Sequence, residues 1–286
     1  MNTEESSPLI GAEELQAQLG APDLLVVDCR FDLGDASAGR RAYDASHIPG
    51  AIFASMDGDL ASARHPGSGR HPLPSPQAFA ASLSRWGFTP RSHVVVYDQG
   101  NGAFAARLWW LLRARGHTRV QLLDGGFAAW MAESRATDTA VPQPHATPVE
   151  PRGFDGVVSS ADVAAGLAAR NITLVDARAA DRFAGRNETI DPVAGHVPGA
   201  LNMPFTGNLD ARQRFLDAAT LRQRWMPVLQ HAQQTPVVAM CGSGITACHN
   251  LLALAIAGHG NTRLYAGSFS EWITDPARPV VAEEGA

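Results

Sequence analysis

Cysteine is scarce in this chain: Cys29, Cys241 and Cys248 are the whole set in 286 residues. An odd, sparse set excludes a disulfide framework and offers no paired spacing for zinc ligands. No metal and no cofactor is expected, and each cysteine is instead to be weighed as a nucleophile. Long apolar runs are missing too. No stretch approaches the roughly 18 continuous apolar residues of a membrane span. The start, MNTEESSPLIGAEELQ, carries acids early and lacks the apolar centre of a signal peptide, so the cytoplasm is the expected compartment. Excess basic charge is absent as well. The formal net charge is −5, with no arginine-rich run interleaved with aromatics, so neither nucleic acid nor a membrane surface is an expected partner. An apolar share of 45% against 18% charged residues is ordinary for a globular chain, and the length suggests two domains.

The chain repeats itself. Four segments recur in the same order. Leu24–Arg30 (LLVVDCR) answers Thr173–Arg178 (TLVDAR), and His47–Ala51 (HIPGA) answers His196–Ala200 (HVPGA). Val94–Asp98 (VVVYD) answers Val237–Cys241 (VVAMC), and Gly125–Trp130 (GGFAAW) answers Gly267–Trp272 (GSFSEW). The partners lie about 145 residues apart with a drift of a few residues, far longer than a solenoid period; this is a duplicated domain. The expected division is 8–135, a linker at 136–156 within the Pro-, Thr- and Ala-rich stretch from Ser134 to Gly156, and 157–280. In the first copy, Leu24–Val27, Val94–Tyr97 and Val120–Leu123 read as buried strands, and Phe104–Arg115 as a helix ended by Gly116. In the second, Thr173–Val175, Val237–Met240 and Thr262–Tyr265 read as strands, and Thr246–Ala257 as a helix ended by Gly258. Strand alternating with helix implies an α/β fold, each copy a parallel sheet flanked by helices. Ligands then belong beyond the carboxyl ends of the strands, where Asp98 and Cys241 fall.

Cys241 follows an apolar strand and precedes a helix, separated from it by Gly242-Ser243-Gly244-Ile245 and the helix-opening Thr246. Glycines at 242 and 244 permit the loop to curl with its N–H groups inward, and the helix start adds the positive end of its dipole. Such a cradle stabilises an anion on sulfur, a thiolate or a persulfide. The alternative, a buried core cysteine beside a tight turn, is weakened by the glycine-rich turn and the helix start. Asp98 stands at the matching place in the first copy, so a single copy retains the thiol.

The loop Cys241–Ala247 (CGSGITA), the two His-x-Pro-Gly-Ala segments and the late Gly-Ser-Phe-Ser-Glu-Trp segment resemble the tandem-domain rhodanese superfamily over nearly the whole chain. The loop is similar to that of the 3-mercaptopyruvate sulfurtransferases in particular. Thiosulfate-using relatives carry basic residues directly after the cysteine, where this chain has Gly242 and Ser243; Phe269 stands where the family more often has tryptophan. The resemblance implies two tandem rhodanese-like domains, the first without a catalytic cysteine. It further implies transfer of sulfane sulfur through a Cys241 persulfide, from a small anionic donor to a thiol, cyanide or thioredoxin-type acceptor. Thiosulfate as donor, or a protein persulfide carrier without small-donor turnover, are the alternatives.

By the same resemblance Arg182 takes the place of a carboxylate-binding arginine. The family's second arginine, after a Glu-Pro pair, has no match in Asn187–Pro192 (NETIDP); Arg186 is the candidate replacement, with an exposed surface arginine as the alternative. Gly242, Gly244, Ile245 and Thr246 would line the donor. Ser243 would act on the keto oxygen or the moving sulfur, together with a histidine and an acid from the first domain. His47 is the candidate histidine, and Asp44 or Asp35 the acid. Because His-x-Pro-Gly recurs at His196, a turn-fixing role common to both copies explains His47 without chemistry. Arg178 reads as a structural ion pair at a strand end, and Cys29 and Cys248 as packed residues. A phosphatase needs Cys-x5-Arg, but the sixth residue after Cys241 is Ala247; a disulfide oxidoreductase needs Cys-x-x-Cys, but Gly244 stands there.

Overall fold

A computed structural model describes residues 7–282, and the acidic start of the chain, on which the leader expectation rests, lies partly outside them. The described residues form two compact units. The first takes in the described residues up to Ser62, Leu73–Asp155 and Ala211–Phe215. The second takes in Ala63–Pro72, Gly156–Asp210 and the described residues from Leu216 onward. Sequence order is therefore broken twice: Ala63–Pro72 comes from the first repeat and folds with the second unit, and Ala211–Phe215 does the reverse.

The first unit is built on strands β1 (Leu9–Ile10), β2 (Leu24–Asp28), β3 (Ile52–Phe53), β4 (His93–Tyr97) and β5 (Val120–Leu123). They form one parallel sheet in the order β1-β5-β4-β2-β3. The second unit has β6 (Thr173–Asp176), β7 (Leu201–Asn202), β8 (Val237–Met240) and β9 (Thr262–Leu264), again parallel, in the order β7-β6-β8-β9. Both expected long helices form, at Ala105–Ala114 and Thr246–Ile256. The strands not anticipated are β1, β3 and β7, each two residues long and too short to show periodicity.

Strand composition explains the burial. All four residues of β6 and of β8 are buried, as parallel strands covered on both faces require. Alternate residues serve opposite faces: Val238 and Met240 join Leu174, Phe183, Phe269 and Trp272 in one core cluster. Val95, Tyr97, Phe127 and Trp130 do the same in the first unit.

The repeated motifs are one structural device used twice. Arg30 Nε and Nη2 grip the Asp28 carboxylate at 2.6–3.1 Å, and Arg178 grips Asp176 the same way at 2.8–3.2 Å. Each guanidinium lies over the phenylalanine of the late aromatic segment, Phe127 at 4.3 Å and Phe269 at 4.0 Å. Each also donates to a carbonyl just before the His-x-Pro-Gly turn, Ser46 O at 2.7 Å and Gly195 O at 2.9 Å. The turn histidines match as well: His47 Nδ1 faces Tyr43 O with its ring stacked on Tyr43, and His196 Nδ1 faces Phe183 O with its ring stacked on Phe183. Trp130 and Trp272 donate their indole N–H groups to Ala136 O and Pro279 O, pinning the chain that leaves each segment. Among the described residues no helix is long and apolar enough to cross a membrane.

Burial pushes the Asp28 carboxyl up from its ordinary range, and Arg30 opposes that push. Removing the arginine leaves a buried charge with no counter-ion. Arg30→Ala is therefore expected to cost about 3–5 kcal/mol at neutral pH, measured by urea unfolding. The deficit should shrink as the pH is lowered and the stranded Asp28 takes up a proton.

Candidate active site

Cys241 leaves the end of β8, and the tertiary contacts of the second unit decide what its sulfur meets. The amides of Ser243 and Gly244 point at Sγ, at 3.4 and 3.1 Å. Gly244 makes this possible: its φ is +81°, and a Cβ there would lie 2.2 Å from Ala266 O. The Cys241 amide is held by Ser268 Oγ at 3.0 Å, while that hydroxyl donates to Tyr265 O at 2.9 Å. Ser268 has φ +53°, a strained conformation for a non-glycine residue; in the first copy Gly126 takes the place. Ile245 is buried and precedes the helix opened by Thr246, so the helix start faces the loop.

The first copy makes the same loop around a different anion. Both Asp98 carboxylate oxygens are used there, accepting bonds from the amides of Gly100, Gly102, Phe104 and Ala105 at 2.9–3.2 Å. A built-in carboxylate fills that cradle. The second cradle holds the thiol of Cys241, a residue that is 2% exposed.

Two side chains from Ala63–Pro72 complete the surroundings of Cys241. His71 Nδ1 lies 2.9 Å from Ser243 Oγ. Arg70 forms an ion pair with Asp191 Oδ1, and Arg182 binds the other oxygen of the same carboxylate at 3.2 Å. Arg182 also takes Glu188 in a two-pronged grip with distances of 2.8–3.1 Å, and Arg178 reaches Glu188 at 3.4 Å. Burial alone would push the Glu188 carboxyl up. The bonds from Arg182 and from the amides of Asp191 and Ile190 outweigh that, and the carboxyl titrates below its ordinary value.

The residues expected at the site are therefore brought together in part. Cys241, Gly242, Ser243, Gly244, Ile245 and Thr246 form one loop, and Arg182 reaches it. Arg186 is exposed, with its amide bonded to Asp181 O, and the guanidinium atoms nearest a Cβ on Gly242 are those of Arg70 and Arg182. His47 is corrected as well. It is fully buried in the first unit with both ring nitrogens against backbone carbonyls, Tyr43 O and Ala140 O, so it is the turn-fixing residue its recurrence suggested. Asp44 and Asp35 are exposed and paired with Arg40 and Arg41 on the surface of that unit. Cys248 is packed in its helix with Sγ donating to Gly244 O at 3.3 Å. Burial, reinforced by Asp28, Asp98 and Asp59, pushes the Cys29 thiol up and leaves it unsuited to attack. Among the described residues no group of three His, Cys, Asp or Glu side chains is placed to hold a metal.

Sequence reasoning missed Arg70, His71 and Ser268. The one signal available for the first two was a histidine and an arginine side by side in a Gly- and Pro-rich loop, Pro66–Pro72 (PGSGRHP), and nothing local says which unit that loop joins.

Because the Glu188 carboxyl is depressed on folding, its stabilising effect is complete above the ordinary value of 4.5 and is lost as pH falls through the lower folded value. Between those two values the wild type should lose stability on acidification more steeply than Glu188→Gln, as read by urea midpoints across that range.

Comparison with known proteins agrees with this arrangement. A family model described as the rhodanese-like domain matches twice, at residues 11–133 and 159–275. A probable 3-mercaptopyruvate sulfurtransferase of Pseudomonas aeruginosa is 49% identical over 96% of this chain and 98% of its own length. A putative thiosulfate sulfurtransferase of Mycobacterium tuberculosis is 38% identical over 95% of this chain and 96% of its own. Among solved structures, the 3-mercaptopyruvate sulfotransferase of Escherichia coli superposes with a TM-score of 0.80 at 30% identity, covering 93% of this chain and 100% of that one. Two family matches, each centred on one of the two repeats, place the chain in the rhodanese family, as a tandem of two rhodanese-like domains.

Proposed function

We propose that the protein is a sulfurtransferase that takes sulfur from 3-mercaptopyruvate onto Cys241 and passes it to a thiol, with cyanide as a substitute acceptor. The observation that carries this reading is the Cys241 loop itself: two amides aimed at Sγ, no cation within the loop, and Ser243 paired with His71 beside it. The relatives named for 3-mercaptopyruvate support the same donor.

The Cys241 thiolate attacks the donor's sulfur. A sulfur–sulfur bond forms and the carbon–sulfur bond breaks, and its electron pair leaves as the enolate of pyruvate. The donor's thiol proton passes to Ser243 and His71 and is returned to the enolate carbon, giving pyruvate and the Cys241 persulfide. The loop amides hold that persulfide anion. An acceptor thiolate then attacks the outer sulfur, forming a new sulfur–sulfur bond and releasing the Cys241 thiolate. Arg182 is the cation for the donor's carboxylate. A thioredoxin-type dithiol in the cytoplasm is the acceptor we favour, because it removes sulfane sulfur by the same exchange.

Cys241→Ser is expected to abolish pyruvate release while the thermal midpoint stays near that of the wild type; turnover by that variant would end the reading. Mass spectrometry of the wild type after donor alone should show one added sulfur on the peptide bearing Cys241. Ser243→Ala and His71→Ala should each lower kcat with 3-mercaptopyruvate by about 10²-fold, the scale of general acid–base assistance. The double variant should lose little more, since the two act as one unit. Faster turnover of thiosulfate than of 3-mercaptopyruvate by the wild type would assign the donor to thiosulfate instead.

A further inference from the structure

The spacing that relates Asp98 to Cys241 also relates Arg212 and Arg214 to Arg70, to within one residue. The exchange of segments between the repeats is therefore reciprocal. Ala63–Pro72 brings Arg70 and His71 beside the Cys241 loop, and Ala211–Phe215 brings Arg212 and Arg214 beside the Asp98 loop. We propose that the first unit keeps a binding site for a small organic anion, a carboxylate carried on an apolar or aromatic body, which it holds without reacting with it. The site lies wholly within the first unit and does not depend on the sulfurtransferase reading.

Three observations carry it. The first is position. Ligands of parallel α/β sheets sit beyond the carboxyl ends of the strands. In the first unit a cavity of about 670 Å³ lies there, at the end of β4, with Asp98 and the loop that follows it in the wall. Its volume falls within the range of small-molecule sites. Every residue that lines it belongs to the first unit.

The second is the chemistry of the wall. Asp98 lines the cavity, but both its oxygens accept bonds from the loop amides, so its charge is met locally. The other charged residues of the lining are both cations, exposed Arg212 and half-buried Arg214. Arg214 Nη2 reaches Glu133 at 3.2 Å in a pair more than a third exposed on each side, which a ligand carboxylate can exchange at little cost. The apolar part is made by Ala128, Ala129 and Ala132 of one helix, together with Phe104. The Phe104 ring is set edge-on to Phe31 with centroids 5.4 Å apart. Cations beside a wall of alanine and phenylalanine suit a carboxylate with an apolar body.

The third is how the cations are held. The Phe215 amide donates to Asp124 Oδ1 at 2.9 Å. The buried Phe215 ring lies against the Asp98 loop, where a Cβ on Gly102 would come 3.2 Å from its Cε2. The stem of Arg214 crosses Gly125, where a Cβ would lie 3.2 Å from its Cγ. Arg212 and Arg214 are thus fixed to the frame that holds Asp98. Phe215 follows Arg214 as His71 follows Arg70, and Asp98 stands in place of the cysteine. The site can bind, but it has neither nucleophile nor proton carrier.

The test is titration calorimetry of the full chain with 3-phenylpropanoate as the probe and 3-phenylpropan-1-ol as its uncharged counterpart. The proteins are the wild type, the Arg212→Gln/Arg214→Gln pair, Ala128→Phe, Ala132→Phe and Arg182→Gln. The wild type should bind the carboxylate saturably and the alcohol at least about 10-fold more weakly, for want of charge-assisted bonds. The paired glutamine variant should weaken carboxylate binding about 10- to 100-fold and leave the alcohol within about twofold. Ala128→Phe and Ala132→Phe, two separate ways of filling the cavity, should each abolish binding of both probes while the thermal midpoint stays near that of the wild type. Arg182→Gln should bind as the wild type does. No saturable binding of the carboxylate up to about 10 mM overturns the proposal. So does binding that survives both filling variants, or an equal loss of carboxylate and alcohol in the glutamine pair. Loss of binding in Arg182→Gln also overturns it, by assigning the probe to the Cys241 loop.

Discussion

Turning a strand into a helix through a tight glycine-rich loop leaves several backbone N–H groups facing one small volume, and that volume has to hold negative charge or polarisable electron density. Both units of this protein meet the constraint at the end of a central strand. In the first, Asp98 satisfies four amides with its own carboxylate, and the loop is finished as a piece of structure. In the second, a cysteine sulfur with two amides on it takes the same place, which is the cradle the proposed persulfide would use. The difference between the two copies is one side chain at the focus of an otherwise shared device.

Around the reactive loop, charge is kept nearly balanced by arginine alone. The chain contains no lysine, so all 23 basic residues are arginine. Arg70, Arg178 and Arg182 interlock with Asp176, Glu188 and Asp191, and both Glu188 and Asp191 are shared between two guanidinium groups. Sharing of this kind needs a planar fork with several donors, which an ammonium group lacks. It also keeps two cations beside Gly242 without leaving a buried charge unmatched.

Much of the fold was legible because its signals are local and repeated. Val94–Tyr97 and Val237–Met240 are continuous apolar runs whose β-branched residues leave little alternative to a buried strand, and Gly116 and Gly258 end their helices with positive φ. The Asp-x-Arg, His-x-Pro-Gly and aromatic segments recur because each completes one packing unit: an ion pair lying on a phenylalanine and tied to a turn. That recurrence also explains His47, whose counterpart His196 makes the same bond to a carbonyl and the same stack. Illegible parts involved partners distant in sequence. Nothing around Arg70 or Ser268 distinguishes them from any surface arginine or turn serine, since their meaning lies in contacts with Asp191, Gly242 and the Cys241 amide. Arg186 is the candidate the sequence offers because it stands four residues from Arg182, whereas Arg70 is distant from both along the chain.

By itself, then, the sequence determined the duplication, the parallel sheets, the place of Cys241 at a strand end and the presence of a thiol there in one copy alone, all of which follow from local patterning and backbone preference. Tertiary structure decided which residues surround that cysteine. The decisive event is that Ala63–Pro72 folds with the second unit and carries Arg70 and His71 to the loop across about 170 residues of chain, a pairing set by shape and charge complementarity rather than by any local preference.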